Sequence, residues 1–186
     1  MNMDRSAVRG PTREVASWIA KLRYDDLPER TRSVVRSALL DTIGCGVYGY
    51  TTPWARMLLG WARAGGRKAE STVWGDTGPT LRAADAALVN GTASHAFELD
   101  DYHNAKLHAG AVVIPAAVAM AEQLGSDGKR LVTAIAAGYE AMIRTSLALE
   151  PSAARLRGWH LTGVCGPLGA AAACALLMGL DEEATA

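Results

Sequence analysis

Residues 161–180 run for twenty positions without a charged side chain, and this stretch constrains the fold more than any other part of the chain. A charge-free segment of that length belongs either in a bilayer or at the centre of a protein. Its make-up separates the two: four Gly, one Pro and seven Ala or Cys leave little apolar bulk for transfer into lipid. The expectation is a buried core helix rather than a membrane span. Gly163, Gly166 and Gly169 recur every three residues, marking a face along which another backbone or a ligand can come close. Alanine is abundant throughout and aromatics are only 6% of the residues, which favours helices packed closely through small side chains. At 186 residues the chain is long enough for one domain with a sizeable core. The predicted class is all-α, a bundle-like domain over 11–186 with at most one short strand, preceded by a flexible N-terminus at residues 1–10.

The helical period recurs along the chain. Thr12 is placed to cap a first helix, with Glu14 in its first turn and Val15, Trp18, Ile19 and Leu22 on one apolar face. Asp26 is the expected cap of a second, with Pro28 and Glu29 following it. That helix carries Val34, Val35, Ala38, Leu39, Thr42 and Ile43 and meets Gly44, Gly46 and Gly49, where it can turn or be approached. Trp54 to Ala64 is helical and is ended by Gly65-Gly66. Residues 70–75 have strand character, and Asp76 to Pro79 has turn chemistry. Thr80 to Val89 returns to helix, with Asn90-Gly91 as its stop. Ala111 to Leu124 is an apolar helix containing Pro115. Asp127 caps a longer one whose Leu131, Val132, Ile135, Tyr139, Met142 and Ile143 share a face, and Pro151 interrupts it. Asp181-Glu182-Glu183 reads as a cap and the acidic first turn of a further helix.

Several function classes fall away on composition. The formal net charge is zero with no basic stripe, so no nucleic-acid partner is expected, and no membrane partner either. Met1 to Arg13 lacks the apolar centre of a signal peptide. Cys45, Cys165 and Cys174 form no CxxC pair and read as reduced, buried thiols of a cytoplasmic protein.

The candidate chemistry is concentrated between His95 and His108, where fourteen residues hold three of the four histidines and the carboxylates of Glu98, Asp100 and Asp101. Imidazole titrates nearest neutrality, so such a cluster suits acid–base work. In a helical conformation Glu98, Asp101 and Tyr102 share one face and Asp100 points away. The competing reading is a solvated loop with capping residues. The histidine spacing matches no zinc motif, and no metal is expected. His108 precedes an apolar helix, whose positive N-terminal end favours a neutral ring suited to base or hydrogen-bond-donor work. His160 heads the charge-free helix in the same way. Each of the two, taken alone, also fits a packed structural histidine. No nucleophile elbow is present.

Taken together, Tyr24-Asp-Asp-Leu-Pro28, Leu40-Asp-Thr-Ile-Gly44, Thr72-Val-Trp-Gly75, Asn90-Gly-Thr-Ala-Ser-His95, Leu99-Asp-Asp101, His108-Ala-Gly-Ala-Val-Val-Ile-Pro-Ala116, Trp159-His-Leu-Thr-Gly163 and Gly166-Pro-Leu-Gly-Ala-Ala171 resemble the MmgE/PrpD family in order and spacing. The resemblance implies proton transfer at carbon next to a carboxylate, without a metal or organic cofactor. 2-Methylcitrate dehydratases of propionate catabolism, cis-aconitate decarboxylases and an iminodisuccinate epimerase share that theme. It implies a helical domain that forms a homodimer, and a smaller α+β lid domain absent from these residues. By position His108 and His160 match the family's active-site histidines, as general acid/base and as stabiliser of an enolate-like charge, in either order. Glu98 and Tyr102 stand where members carry Asp and Thr, a longer acid and a bulkier hydroxyl, and with Asp101 they are the substrate-binding candidates. The expected function is that of a dehydratase-like lyase on a small di- or tricarboxylate such as 2-methylcitrate. The alternatives are an epimerase, a cis-aconitate-type decarboxylase, or a non-catalytic dimerising module. The family's substrate-binding lysines correspond to positions beyond Ala186, and the active segments here offer only Lys106 and Arg157. The domain is therefore expected to be truncated at its C-terminal end and to show little activity alone.

Overall fold

The computed structural model describes residues 10–65 and 70–186. Within them the fold is all-α: α1 (Pro11–Lys21), a 3-10 turn at Tyr24–Asp26, α2 (Glu29–Gly49), α3 (Pro53–Ala64), α4 (Ala83–Ser94), α5 (Gly110–Leu124), α6 (Gly128–Ala148), α7 (Pro151–Leu156), α8 (Leu161–Met178) and α9 (Glu182–Thr185). Among the described residues β pairing is limited to two isolated antiparallel bridges, Ser71 with Leu81 and His103 with Leu107. The expected flexible N-terminus, apart from Gly10, and Gly66 as a helix stop lie outside the described residues.

The charge-free stretch is a core helix of this fold. By length and composition α8 could cross a membrane, but 56% of it is buried, packed between α5 and α6. Its glycines explain how. A Cβ on Gly169 would lie 2.8 Å from the Met142 Cβ and 2.9 Å from the Gly138 carbonyl oxygen, and one on Gly138 would lie 2.8 Å from the Gly169 carbonyl. The α6 and α8 backbones therefore touch at this crossing, which only hydrogen at both positions permits. Around it Ile114, Ile135, Met142, Leu161 and Cys165 are almost wholly buried. On α6, Val132, Ile135 and Met142 reach the core, and Leu131, Tyr139 and Ile143 pack against it, as their spacing predicts. Leu59, Val73, Leu81, Ala86 and Val89 form a second cluster beneath α3 and α4.

Several local expectations are corrected. Thr12 does not cap α1: Gly10 is the N-cap and Pro11 opens the helix, which places Thr12 inside its first turn, and the Gly10 carbonyl accepts from Arg13 and Glu14 N–H. Val15 and Trp18 remain well exposed while Ile19 and Leu22 are buried. Asp26 lies in the 3-10 turn and accepts from the Arg23 N–H at 2.8 Å, so Pro28 is the α2 N-cap. α2 does not turn at Gly44 or Gly46 but runs on to Gly49, and the close approach is met at two of the three glycines: a Cβ on Gly46 would lie 2.6 Å from the Trp74 ring, and one on Gly49 would run into the Ala93 carbonyl oxygen. Residues 70–75 form no strand. Only Ser71 pairs, with Leu81 through two backbone bonds, Thr72 N–H donates to Glu122, and the buried Asn90 amide accepts from Trp74 N–H and donates to the Thr72 carbonyl. That explains why Asn90-Gly91 fails as a stop: α4 continues to Ser94 because Asn90 is spent on a tertiary bond. Gly91 lies against the Ala111 carbonyl, which Pro115, lacking an N–H, leaves without its helical donor. The three cysteines are free, but only Cys165 is fully buried. Asp127 and Asp181 cap α6 and α9 as expected, accepting from Arg130 and Ala184 N–H.

Candidate functional site

The segment between α4 and α5 is a loop, and tertiary bonds hold its shape. Ser146 Oγ on α6 donates to the Ala105 carbonyl at 2.7 Å, and Thr162 Oγ1 on α8 accepts from the His108 N–H at 3.1 Å. The second bond seats the entry to α5 on the first turn of α8, so the segments carrying His108 and His160 adjoin. Glu98 (φ 49°) and Lys106 (φ 63°) take the left-handed conformation, uncommon for residues with a Cβ.

Because the loop is not helical, the shared face of Glu98, Asp101 and Tyr102 does not form, and the consecutive aspartates take different partners. Asp101 is engaged at both oxygens, accepting from Gly110 N–H and from the Tyr139 hydroxyl, each at 2.8 Å. It thus supplies the negative charge at the start of α5. Burial, and then the Asp101 charge, push the Tyr139 phenol well up, so it remains a donor. Asp100 points inward. Its side chain is fully buried, with Oδ1 2.8 Å from His95 Nδ1 and Oδ2 3.5 Å from His108 Nδ1. Neither that Oδ2 nor the His108 Nδ1 has a hydrogen-bond partner, and the two atoms face each other only as an ion-pair contact. The two imidazole rings lie edge to face at 4.8 Å, and the exposed Tyr102 ring lies 5.5 Å from His108. The hydrogen bond to Asp100 raises the His95 pKa, against a lowering by burial, and the charges of Asp100 and Glu98 add to the rise.

The other two histidines use their rings differently. His160 is the exposed N-cap of α8, its Nδ1 accepting from Gly163 N–H at 3.2 Å. His103 Nδ1 accepts from Ala105 N–H at 3.0 Å. Burial raises the Cys165 thiol pKa, which suits a packed side chain rather than a nucleophile.

Of the residues singled out in the sequence, His108 is partly buried inside the cluster, His160 stands at the adjoining helix end, and Glu98 and Tyr102 are exposed at its rim. Asp101 is committed to internal bonds. Sequence reasoning missed Asp100 and His95. The available signal was an aspartate between two histidines, but the helical assumption turned it outward. One donor atom from each of His95, Asp100 and His108 lies within 4.8 Å of the others, a spacing open to either a shared-proton network or a cation. A groove of about 830 Å³ between α1, α2 and α6 is lined by Asp101, Tyr102 and His103 but by neither His108 nor His160. Its Trp18, Val34 and Ile143 walls do not suit a polycarboxylate, so the histidine cluster is the better candidate.

Fold and cluster together define an all-helical domain that gathers titratable side chains where helix N-termini meet. The model of the MmgE/PrpD N-terminal domain matches residues 13–186. Cis-aconitate decarboxylase of Aspergillus terreus is 31% identical, over 97% of this chain and 38% of its own length. The human enzyme of that name is 30% identical over 92% and 36%, and the Mus musculus one 27% over 94% and 36%. The chain belongs to the MmgE/PrpD family, and it spans less than two fifths of the length of these curated relatives.

Proposed function

We propose that this domain carries the acid–base half of a lyase that moves a proton at carbon next to a carboxylate of a small di- or tricarboxylate. The observation that carries the reading is the buried Asp100 with His95 and His108 on either side, beside the helix end that bears His160. Two imidazoles near one helix junction supply a proton acceptor and a donor for an enolate-like intermediate. Family membership and the decarboxylase relatives support lyase chemistry. Glu98 and Tyr102 at the rim would shape the pocket, and cationic side chains from outside these residues would bind the carboxylates. Dehydration of 2-methylcitrate, decarboxylation of cis-aconitate and epimerisation all fit this description. We assign the site to a cytoplasmic homodimer.

The test is deuterium incorporation from D2O into candidate di- and tricarboxylates, together with CO2 release from cis-aconitate, by a protein that joins this domain to its lid. Replacing His108 or His160 by Gln should remove both. Exchange retained in both variants would sink the histidine assignment. A non-catalytic helical module is the second reading, and carboxylate-dependent thermal stabilisation separates the two, since a scaffold shows none.

A further inference from the structure

The four histidines fall into two pairs by what their Nδ1 atoms face. In His103 and His160 that atom accepts from a backbone N–H, so the neutral ring must carry its proton on Nε2. In His95 and His108 it faces the buried carboxylate of Asp100, an acceptor only, so a neutral ring there is held with its proton on Nδ1. We infer that Asp100 is a positioning residue that fixes His108 with a bare Nε2. On that basis His108 is the proton acceptor of the site and His160 its N–H donor.

The inference rests on the proposed function for its chemical meaning and adds the division of labour between the two histidines. Its physical basis is the cost of the alternative. With the proton on Nε2, the His108 Nδ1 lone pair would face the buried Asp100 Oδ2 across 3.5 Å, two acceptors with no donor between them. Asp100 cannot turn away, because its other oxygen is held by His95 at 2.8 Å and its side chain is fully buried. In the reaction the proton goes from substrate carbon to His108 Nε2, and the resulting imidazolium is stabilised by Asp100. His160 Nε2–H meanwhile donates to the oxygen on which the electron pair settles.

The experiment is nitrogen-15 NMR of the histidine-labelled chain at a pH where the rings are neutral, with each ring assigned by single His→Gln substitutions. The expected result is two rings protonated at Nδ1, His95 and His108, and two at Nε2, His103 and His160. In Asp100→Asn the amide has one acceptor and one donor. Whichever way the amide settles, one of His95 and His108 faces its NH2 group and moves its proton to Nε2, while the other three rings stay as they were. His108 protonated at Nε2 in the unaltered chain overturns the inference, and so does an Asp100→Asn chain in which His95 and His108 both keep their Nδ1 protons. Equimolar Zn2+ that removes the Nδ1 protons of His95 and His108 together also overturns it, since the cluster would then be a metal site. If the variant fails to fold, the tautomers of the unaltered chain decide between the two arrangements by themselves. The expected tautomers with proton exchange surviving in His108→Gln would refute the function and leave the positioning intact; the reverse pattern would do the opposite.

Discussion

Gly169→Ala isolates the contact on which the core depends. In an open helix, Ala is better than Gly by about 0.8–1.0 kcal/mol, so propensity alone predicts stabilisation. At Gly169 the added methyl would lie 2.8 Å from Met142 Cβ, 2.9 Å from the Gly138 carbonyl oxygen and 3.0 Å from a Val113 methyl. Overpacking of this kind costs about 1–3 kcal/mol. The upper part of that range applies, because the carbonyl belongs to α6 and cannot move without it. After the propensity gain the net loss is about 1–2 kcal/mol. With a urea slope of about 2 kcal/mol/M, the unfolding midpoint should fall by about 0.5–1 M. Gly44→Ala is the matched control: Gly44 is exposed on α2 with nothing within 4 Å of a new Cβ, and its midpoint should rise. A Gly169→Ala protein as stable as Gly44→Ala would refute the backbone-level crossing.

Three further outcomes concern the site and its supports. Folding raises the His95 pKa, so the stability from that ring is complete below the ordinary imidazole value of about 6.5 and is lost as pH rises through the higher folded value. The stability advantage over His95→Gln, measured by urea unfolding at a series of pH values, should shrink toward alkaline pH, and an advantage that grows contradicts the assignment. Tyr139→Phe leaves Asp101 Oδ2 without its donor and should cost about 1–3 kcal/mol, read as a lower midpoint; an unchanged midpoint would show that the bond contributes nothing. His160→Asn keeps a side-chain acceptor at the α8 N-cap, so stability should stay within about 0.5 kcal/mol while proton exchange is lost. A parallel loss of both would mean that His160 acts only as a cap.

Local chemistry by itself determined the class and much of the helix plan of this protein. Periodic apolar positions, the Asp127 and Asp181 caps and a charge-free stretch diluted by glycine act through neighbours within a turn or two, so α5, α6, α8 and the core position of α8 were legible from the residues alone. The family was legible too, through motifs whose order and spacing are properties of the chain. Tertiary structure decided the rest, wherever a side chain's partner lies far off in sequence. Asn90 was spent on Thr72 and Trp74, so a dipeptide that usually ends a helix did not end α4. Residues 70–75 had strand composition, but their backbone pairs only at Ser71, with Leu81, and is otherwise met by the side chains of Glu122 and Asn90. Asp100 and Asp101 are adjacent and chemically identical, yet one is committed to Gly110 and Tyr139 and the other to the space between two histidines. No periodicity could separate them, because the loop's path is set by Ser146, Thr162 and Tyr139, between 38 and 54 residues from the groups they bind.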